Sequence, residues 1–174
     1  MYERVLLASD GTQEGLTALR EGALLARNWR ARVFLLVVTL NTPGARLADS
    51  VHPIPRGEEE RALLSRGLTR LGEMGVQATG AVASGEPAME IGAHARSFNA
   101  DLVVVGHRRQ GLMERWWSGA SGAYLCEHVS CTLLIARGVV SDEAFEQRLN
   151  QKKCVGMGGG GAAILDPLGA SVSV

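Results

Sequence analysis

Short apolar runs alternate with amphipathic stretches along the first 137 residues. The runs are rich in valine and leucine and carry few charges, which is typical of strands buried on both faces. They predict strands over residues 5–9, 33–38, 76–83, 102–105 and 132–136. Between the runs, apolar residues recur at helical spacing with charged residues among them. These stretches predict helices over residues 13–30, 58–74, 88–98 and 119–128.

The alternation of strand and helix predicts the α/β fold class. Each parallel crossover needs a covering helix and a right-handed connection. We therefore expect a doubly wound, five-stranded parallel sheet sandwiched between helices. Small ligands bind such sheets beyond the carboxyl ends of the strands, where the strand order reverses. The segments to inspect are residues 10–12, 38–39 and 106–122.

The remainder of the chain differs from this pattern. Residues 40–57 hold three prolines and predict a loop. This loop lies within residues 1–140, which together predict one domain. Residues 141–174 predict an extension, which begins with a short helix over 141–150 that places Phe145 and Leu149 on one side. Beyond Cys154 the chain is rich in glycine, and its one charge is Asp166. This composition favours a tail that is flexible or docks on a partner.

Composition narrows the function classes. The 174 residues include 18 basic and 18 acidic ones, so no net charge favours nucleic acid or an anionic membrane. No uncharged run approaches the roughly 20 apolar residues that span a bilayer. The amino terminus enters a strand-like run at once, without a signal peptide pattern. Three cysteines in no disulfide-framework spacing favour a reducing compartment. We therefore expect a soluble, cytoplasmic protein.

Two segments have the chemistry to bind a ligand. Asp10 follows the first strand, where its carboxylate could accept a hydrogen bond from a ribose or base, or serve the turn beside Thr12 as a helix cap. Residues 106–122 begin with a glycine, which either lets a phosphate approach the main chain or belongs to a tight turn in a surface loop. Leu112 and Met113 stand where a P-loop has its Lys-Ser/Thr pair, so the chain is not a P-loop NTPase. No GxGxxG motif follows the first strand.

Other combinations are better explained by structure. Cys126, His128 and Cys131 lack the second half of a zinc motif, so we expect helix-end packing and no metal. The pair Trp116-Trp117 lies among arginines and could stack bases. The neutral net charge instead favours a lid or a subunit contact. No set of nucleophile, base and orienting residue occurs, so the residues propose no catalytic group and no reaction.

Over residues 2–137 the sequence resembles the universal stress protein (UspA) family. Six segments carry the resemblance in the same order and spacing: 5–12, 31–38, 85–88, 100–106, 119–121 and 128–137. The resemblance implies a flavodoxin-like or adenine nucleotide α-hydrolase-like three-layer sheet. It also implies a homodimer, commonly formed through the last strand, here Thr132–Ala136. Members are linked to survival under stress, mostly without a defined reaction.

Some members of this family bind ATP through Gly-x-x-Gly, nine residues and then Gly-Ser/Thr. Gly106 and Gly119 match the first and third glycines, whereas Arg109 and Ala120 replace the second glycine and the hydroxyl residue. Arg109 would occupy the place of the triphosphate, point outward or grip an anion. The resemblance implies that Asp10 contacts ribose and Val38 contacts adenine. The candidate nucleotide-binding residues are Asp10, Val38, Gly106, Arg108, Arg109, Gly119, Ala120 and Ser121.

Two functions follow from this resemblance and its departures. The first is a stress-response protein that acts by homodimerisation and by binding an unidentified protein partner, with no required cofactor. The second is a sensor whose partner binding responds to ATP or AMP. We expect weak or absent ATP binding because the phosphate half of the motif is altered. Slow nucleotide hydrolysis is a third hypothesis, for which the residues nominate neither a base nor a metal ligand.

Overall fold

The computed structural model describes residues 1–39, 58–106, 125–136 and 140–154. The chain divides into two compact units, Met1–Ser141 and Asp142–Val174. The first unit contains β1 (Arg4–Ser9), α1 (Gln13–Ala18), α2 (Arg20–Trp29), β2 (Arg32–Thr39), α3 (Glu58–Glu73), β3 (Ala78–Ser84), α4 (Pro87–Phe98), β4 (Leu102–Gly106) and β5 (Thr132–Ala136). Residues 125–128 are also helical. The second unit contributes α5 (Asp142–Cys154). No helix in the described ranges is long and apolar enough to cross a membrane.

The five strands form one parallel sheet in the order β3-β2-β1-β4-β5. The predicted α/β class and parallel sheet are therefore confirmed. From β1 the chain passes to β2 and β3 on one side, and it later returns to place β4 on the other side. The strand order thus reverses between β1 and β4. All the carboxyl ends lie at one edge of the sheet, and the reversal at that edge is where such folds bind ligands.

Both faces of the central strands are covered. One face forms a core cluster in which side chains of β1, β2 and β4 pack against α4 and against residues 125–129. Its buried members are Leu6, Ala8, Leu36, Val38, Ala88, Ile91, Ala95, Val103, Val105, Leu125 and Val129. On the other face, α2 approaches the sheet closely at Gly22. A Cβ there would lie 2.7 Å from Leu7 Cδ2 and 2.9 Å from Val104 Cγ1, so glycine sets this helix–sheet distance.

Local signals explain where helices end and strands begin. α2 and α4 are each followed by a residue with positive φ, Arg30 at 55° and Asn99 at 52°. The next amides then donate back to the helices, Ala31 to Ala26 O at 2.9 Å and Ala100 to Ala95 O at 2.8 Å. These closures satisfy terminal carbonyls and turn the chain directly into β2 and β4. The connections from α2 to β2 and from α4 to β4 are therefore very short.

The structure corrects one predicted helix. Residues 13–30 read as one continuous helix, but the chain forms α1 and α2, separated at Leu19. The amide of Leu19 donates to Leu16 O at 3.1 Å, an i to i−3 bond that tightens the last turn of α1. The side chain of Leu19 is buried. The predicted loop 40–57 and the start of the predicted helix at 119–124 lie outside the described residues.

Asp101 joins β1 to β4 at the amino edge of the sheet. Its carboxylate accepts hydrogen bonds from the amides of Glu3 at 2.7 Å and Arg4 at 3.1 Å. Its own amide donates to Arg4 O at 3.0 Å, and its carbonyl accepts from Thr132 at 3.3 Å. One residue therefore holds the starts of three adjacent strands together.

We predict that Asp101→Ala lowers the free energy of unfolding by about 1–3 kcal/mol, because two main-chain donors lose a charged acceptor. The measurement is urea denaturation followed by circular dichroism. Glu73→Ala is the control, since Glu73 forms an exposed pair with Arg70 at 3.0 Å, and such pairs contribute at most about 1 kcal/mol. Equal effects of the two substitutions would contradict the role given to Asp101.

Candidate functional site

The carboxyl end of β1 carries a group of polar residues at the point where the strand order reverses. Pairing between β1 and β4 ends at Ala8 and Val105, so Ser9 and Asp10 extend beyond the last paired residues of this strand pair. α1 follows immediately, with Thr12 as its N-cap. Ser9, Asp10, Thr12 and Gly15 are termed the switch-point site below. This is the location that the fold and the sequence both indicate for a ligand.

A chain of hydrogen bonds orients the carboxylate of Asp10. Its Oδ1 accepts from the amide of Thr12 at 3.1 Å and from Thr12 Oγ1 at 2.7 Å. Thr12 Oγ1 in turn accepts from the amide of Gly15 at 2.9 Å. The Thr12 hydroxyl uses its one proton to donate to Asp10, so its oxygen lone pairs can accept from the amide of Gly15. Asp10 therefore holds the turn before α1, which is one of the two roles that the sequence predicts for it, beside contact with a ribose or base.

Within the described residues, the second carboxylate oxygen of Asp10 is available. Asp10 is half-buried, and both of its hydrogen bonds in this part of the chain end on Oδ1. An ionised carboxylate offers about four acceptor positions. A fixed Oδ1 and an uncommitted Oδ2 together make Asp10 an oriented acceptor, so holding the turn does not exclude binding a ligand hydroxyl.

Ser9 adds a buried polar group with no partner. Its exposed fraction is 0%, and its Oγ is the one buried side-chain oxygen or nitrogen in the described ranges that makes no hydrogen bond. A buried polar atom left unpaired costs free energy, and in native proteins such an atom calls for an explanation. Its place next to Asp10 makes ligand binding the first explanation to test.

Side chains at the end of β2 border this turn. Gly11 has φ of 76°, a conformation that favours glycine. Its Cα lies against β2, because a Cβ there would contact Val37 Cγ1 at 3.4 Å and Thr39 Cγ2 at 3.8 Å. Val38 itself is enclosed in the core cluster and 1% exposed. A ligand contact at Val38 would therefore have to come from its main chain.

The structure brings some of the predicted site residues to the same edge. Asp10, Val38 and Gly106 lie at or just beyond the carboxyl ends of β1, β2 and β4, which are neighbours in the sheet. Gly106 is buried and pairs with Ala136 of β5. Arg108, Arg109, Gly119, Ala120, Ser121 and the pair Trp116-Trp117 lie outside the described residues.

The cysteine and histidine residues near β5 occupy different environments. Cys126 is exposed, whereas Cys131 is half-buried and packs against the core cluster. Burial, followed by the negative charge of Asp101, raises the pKa of the Cys131 thiol. Cys131 is therefore a weaker nucleophile at neutral pH than an unperturbed thiol. In the described part of the chain, no three His, Cys, Asp or Glu side chains are grouped to hold a metal ion.

Two residues of the switch-point site, Ser9 and Gly15, are not among the candidate binding residues that the sequence predicts. The available signals are weak: a serine ends an otherwise apolar strand, and a glycine stands three positions after the N-cap threonine. Neither pattern shows that the two residues face each other, which depends on how α1 lies against β1.

These observations define a class: an α/β protein with a parallel sheet and an oriented acidic residue where the strand order reverses. The universal stress protein family model matches residues 1–137. The chain belongs to the universal stress protein family. A sequence relative is the universal stress protein YxiE of Bacillus subtilis, 29% identical over 148 residues, which cover 79% of this chain and all of the relative.

Solved structures of the same family share the fold. One is a universal stress protein in complex with cAMP, with a TM-score of 0.55 and 21% identity, covering 79% of this chain and 98% of that one. Another is the Archaeoglobus fulgidus universal stress protein in complex with dAMP, with a TM-score of 0.55 and 16% identity over 78% of this chain and 98% of that one. The expected nucleotide α-hydrolase-like architecture is confirmed.

We predict that Ser9→Ala leaves the ligand-free protein at least as stable as the parent, with a gain of about 1 kcal/mol, because the substitution removes an unpaired buried hydroxyl. Urea unfolding without ligand measures this. Thr12→Ala is the comparison, and it should lose about 0.5–2 kcal/mol with the helix cap. A loss for Ser9→Ala as large as that for Thr12→Ala would show that the Ser9 hydroxyl has a partner.

Proposed function

We propose that this chain is a stress-response protein that acts as a homodimer by binding a protein partner, and not by catalysis. Family membership supports the stress-response assignment. The observation that carries the homodimer is the surface of β5, which is an edge strand of the sheet. The proposal specifies that the partner is a protein and does not identify it further.

Three side chains of β5 are large, apolar and incompletely covered. Every residue of β4 is buried, whereas in β5 Leu133 and Leu134 are half-buried and Ile135 is 41% exposed. An edge strand also presents unpaired main-chain groups on its outer side, which favour pairing with another strand. A second copy of Thr132–Ala136 in antiparallel pairing would satisfy those groups and cover the aliphatic side chains.

We predict that Ile135→Glu converts the dimer to a monomer, because a charge would be placed in a contact between two apolar edges. Sedimentation equilibrium at micromolar concentration measures the mass. Met89→Glu is the matched control: Met89 is 46% exposed, but it lies on α4, so the dimer should persist. A parent protein that sediments as a monomer would contradict the proposal.

A second function is supported by the switch-point site: binding of an adenine nucleotide that regulates the partner interaction. An oriented carboxylate, whose Oδ2 has no partner among the described residues, lies where such folds bind ligands. The two related structures described above contain cAMP and dAMP, each with a single phosphate. In this chain, Arg109 and Ala120 alter the phosphate half of the ATP motif. We therefore propose AMP as a better ligand than ATP.

The proposed contacts divide between two ends of the ligand. Asp10 and Val38 would contact the nucleoside, Asp10 through its carboxylate and Val38 through its main chain. The other residues proposed around the phosphate are Gly106, Arg108, Arg109, Gly119, Ala120 and Ser121. Arg109 would pair with a single phosphate and would leave less room for three. No residue of this set is proposed to act as an acid, base or nucleophile.

We predict that the double variant Arg109→Gly/Ala120→Ser binds ATP at least tenfold more tightly than the parent, because it restores the glycine and the hydroxyl of the motif. AMP affinity should change less. Isothermal titration with both nucleotides, with and without Mg²⁺, measures this. Arg32→Gln is the control for charge, since Arg32 is exposed at the amino end of β2. Equal affinity of the parent for ATP and AMP would contradict the proposed selectivity.

A further inference from the structure

Gly15 provides the space in which the carboxylate of Asp10 lies. A Cβ at Gly15 would overlap Asp10 Oδ1, and it would lie 2.9 Å from Ser9 Oγ and 3.1 Å from Thr12 Oγ1. All three atoms are ends of side chains and none belongs to the main chain. A side chain at position 15 would therefore displace the carboxylate while the path of the backbone could remain.

Displacing the carboxylate would break its present orientation. Asp10 Oδ1 is held by the amide and hydroxyl of Thr12, and that hydroxyl is itself held by the amide of Gly15. All these bonds meet on the side where the Cβ of residue 15 would be. With Oδ1 moved away, the direction of Oδ2 would change as well, because the two oxygens belong to one rigid planar group.

Ser9 independently indicates a ligand at this place. Its buried hydroxyl has no partner in the described structure, and it faces the same space beside Gly15. A hydroxyl offers a donor, and Oδ2 of Asp10, which has no partner in the part of the chain that the structure describes, offers an acceptor. The two groups belong to adjacent residues at the end of β1. Together they complement a ligand group that both donates and accepts, which is the property of a sugar hydroxyl.

We propose that Gly15 is a positioning residue that gives the switch-point site its selectivity for nucleotides with ribose hydroxyls. This inference rests on the proposed nucleotide binding. Gly15 acts through Asp10, whose carboxylate it allows to settle on Thr12. Any residue with a Cβ at this position turns Asp10 away from the sugar and removes the discrimination.

The experiment compares AMP with 2′,3′-dideoxy-AMP, which lacks both ribose hydroxyls, by isothermal titration of the full chain. The parent should bind AMP at least tenfold more tightly than the dideoxy nucleotide. Gly15→Ala should bind AMP about tenfold more weakly and the dideoxy nucleotide within twofold of the parent. Gly72→Ala is the control for helix propensity, because Gly72 is in α3 and has no atom within 4 Å of the added Cβ. It should retain the selectivity of the parent.

A second readout needs no ligand. The amide resonance of Thr12, which donates to Asp10 Oδ1, should shift in the NMR spectrum of Gly15→Ala and stay in place in Gly72→Ala. If Gly15→Ala fails to fold, Thr12→Val tests the same bond, and it should lose selectivity while Thr12→Ser keeps it.

The outcomes separate this inference from the function on which it rests. A parent that binds neither nucleotide overturns the proposed nucleotide binding and this inference with it. A parent that binds both equally keeps the binding but overturns the selectivity. A selective parent whose Gly15→Ala variant is equally selective, or leaves the Thr12 amide unmoved, overturns the role of Gly15 alone.

Discussion

The pairing of β1 with β4 is the interaction on which the rest of the structure depends. It joins segments far apart in sequence, and the bond from the amide of Glu3 to Asp101 spans 98 positions. Because β2 and β3 already occupy one side of β1, this pairing creates the reversal in strand order. The reversal leaves Ser9 and Asp10 beyond the last paired residues of the two strands. The site is therefore a consequence of the topology, and its residues supply the chemistry.

The sequence predicts the sheet well because each strand contains a local signal. Thr132–Ala136 is found where the apolar run predicts it, and β4 differs by the one added residue, Gly106. The break at Leu19 was not predictable in this way, since leucine favours helix and the break depends on one i to i−3 hydrogen bond and on burial. Asp10 was found from its position after a strand. Ser9 and Gly15 were not, because their importance comes from atoms that meet only in the folded chain.

The two edges of the sheet differ in a way that bears on assembly. β3 consists of Ala, Thr, Gly, Val and Ser residues, with no side chain larger than valine, whereas β5 carries two leucines and an isoleucine. Large aliphatic side chains remove more apolar surface from water when a partner covers them. A partner strand could pair with the main-chain groups of either edge, but it would bury more apolar surface at β5. That difference is why β5, and not β3, is the edge proposed for the homodimer.

The long separation between β1 and β4 also affects how the chain is made. Ribosomes add about 5–20 residues per second, so the 98 positions between Glu3 and Asp101 take roughly 5–20 seconds to synthesise. Once β2 has been made, β1, whose Leu6 ends fully buried, has a neighbouring strand on one side and none on the other. The nascent chain therefore has an apolar, half-paired strand until β4 is synthesised. Exposed apolar surface and unpaired strand edges of this kind make an incomplete chain prone to aggregation.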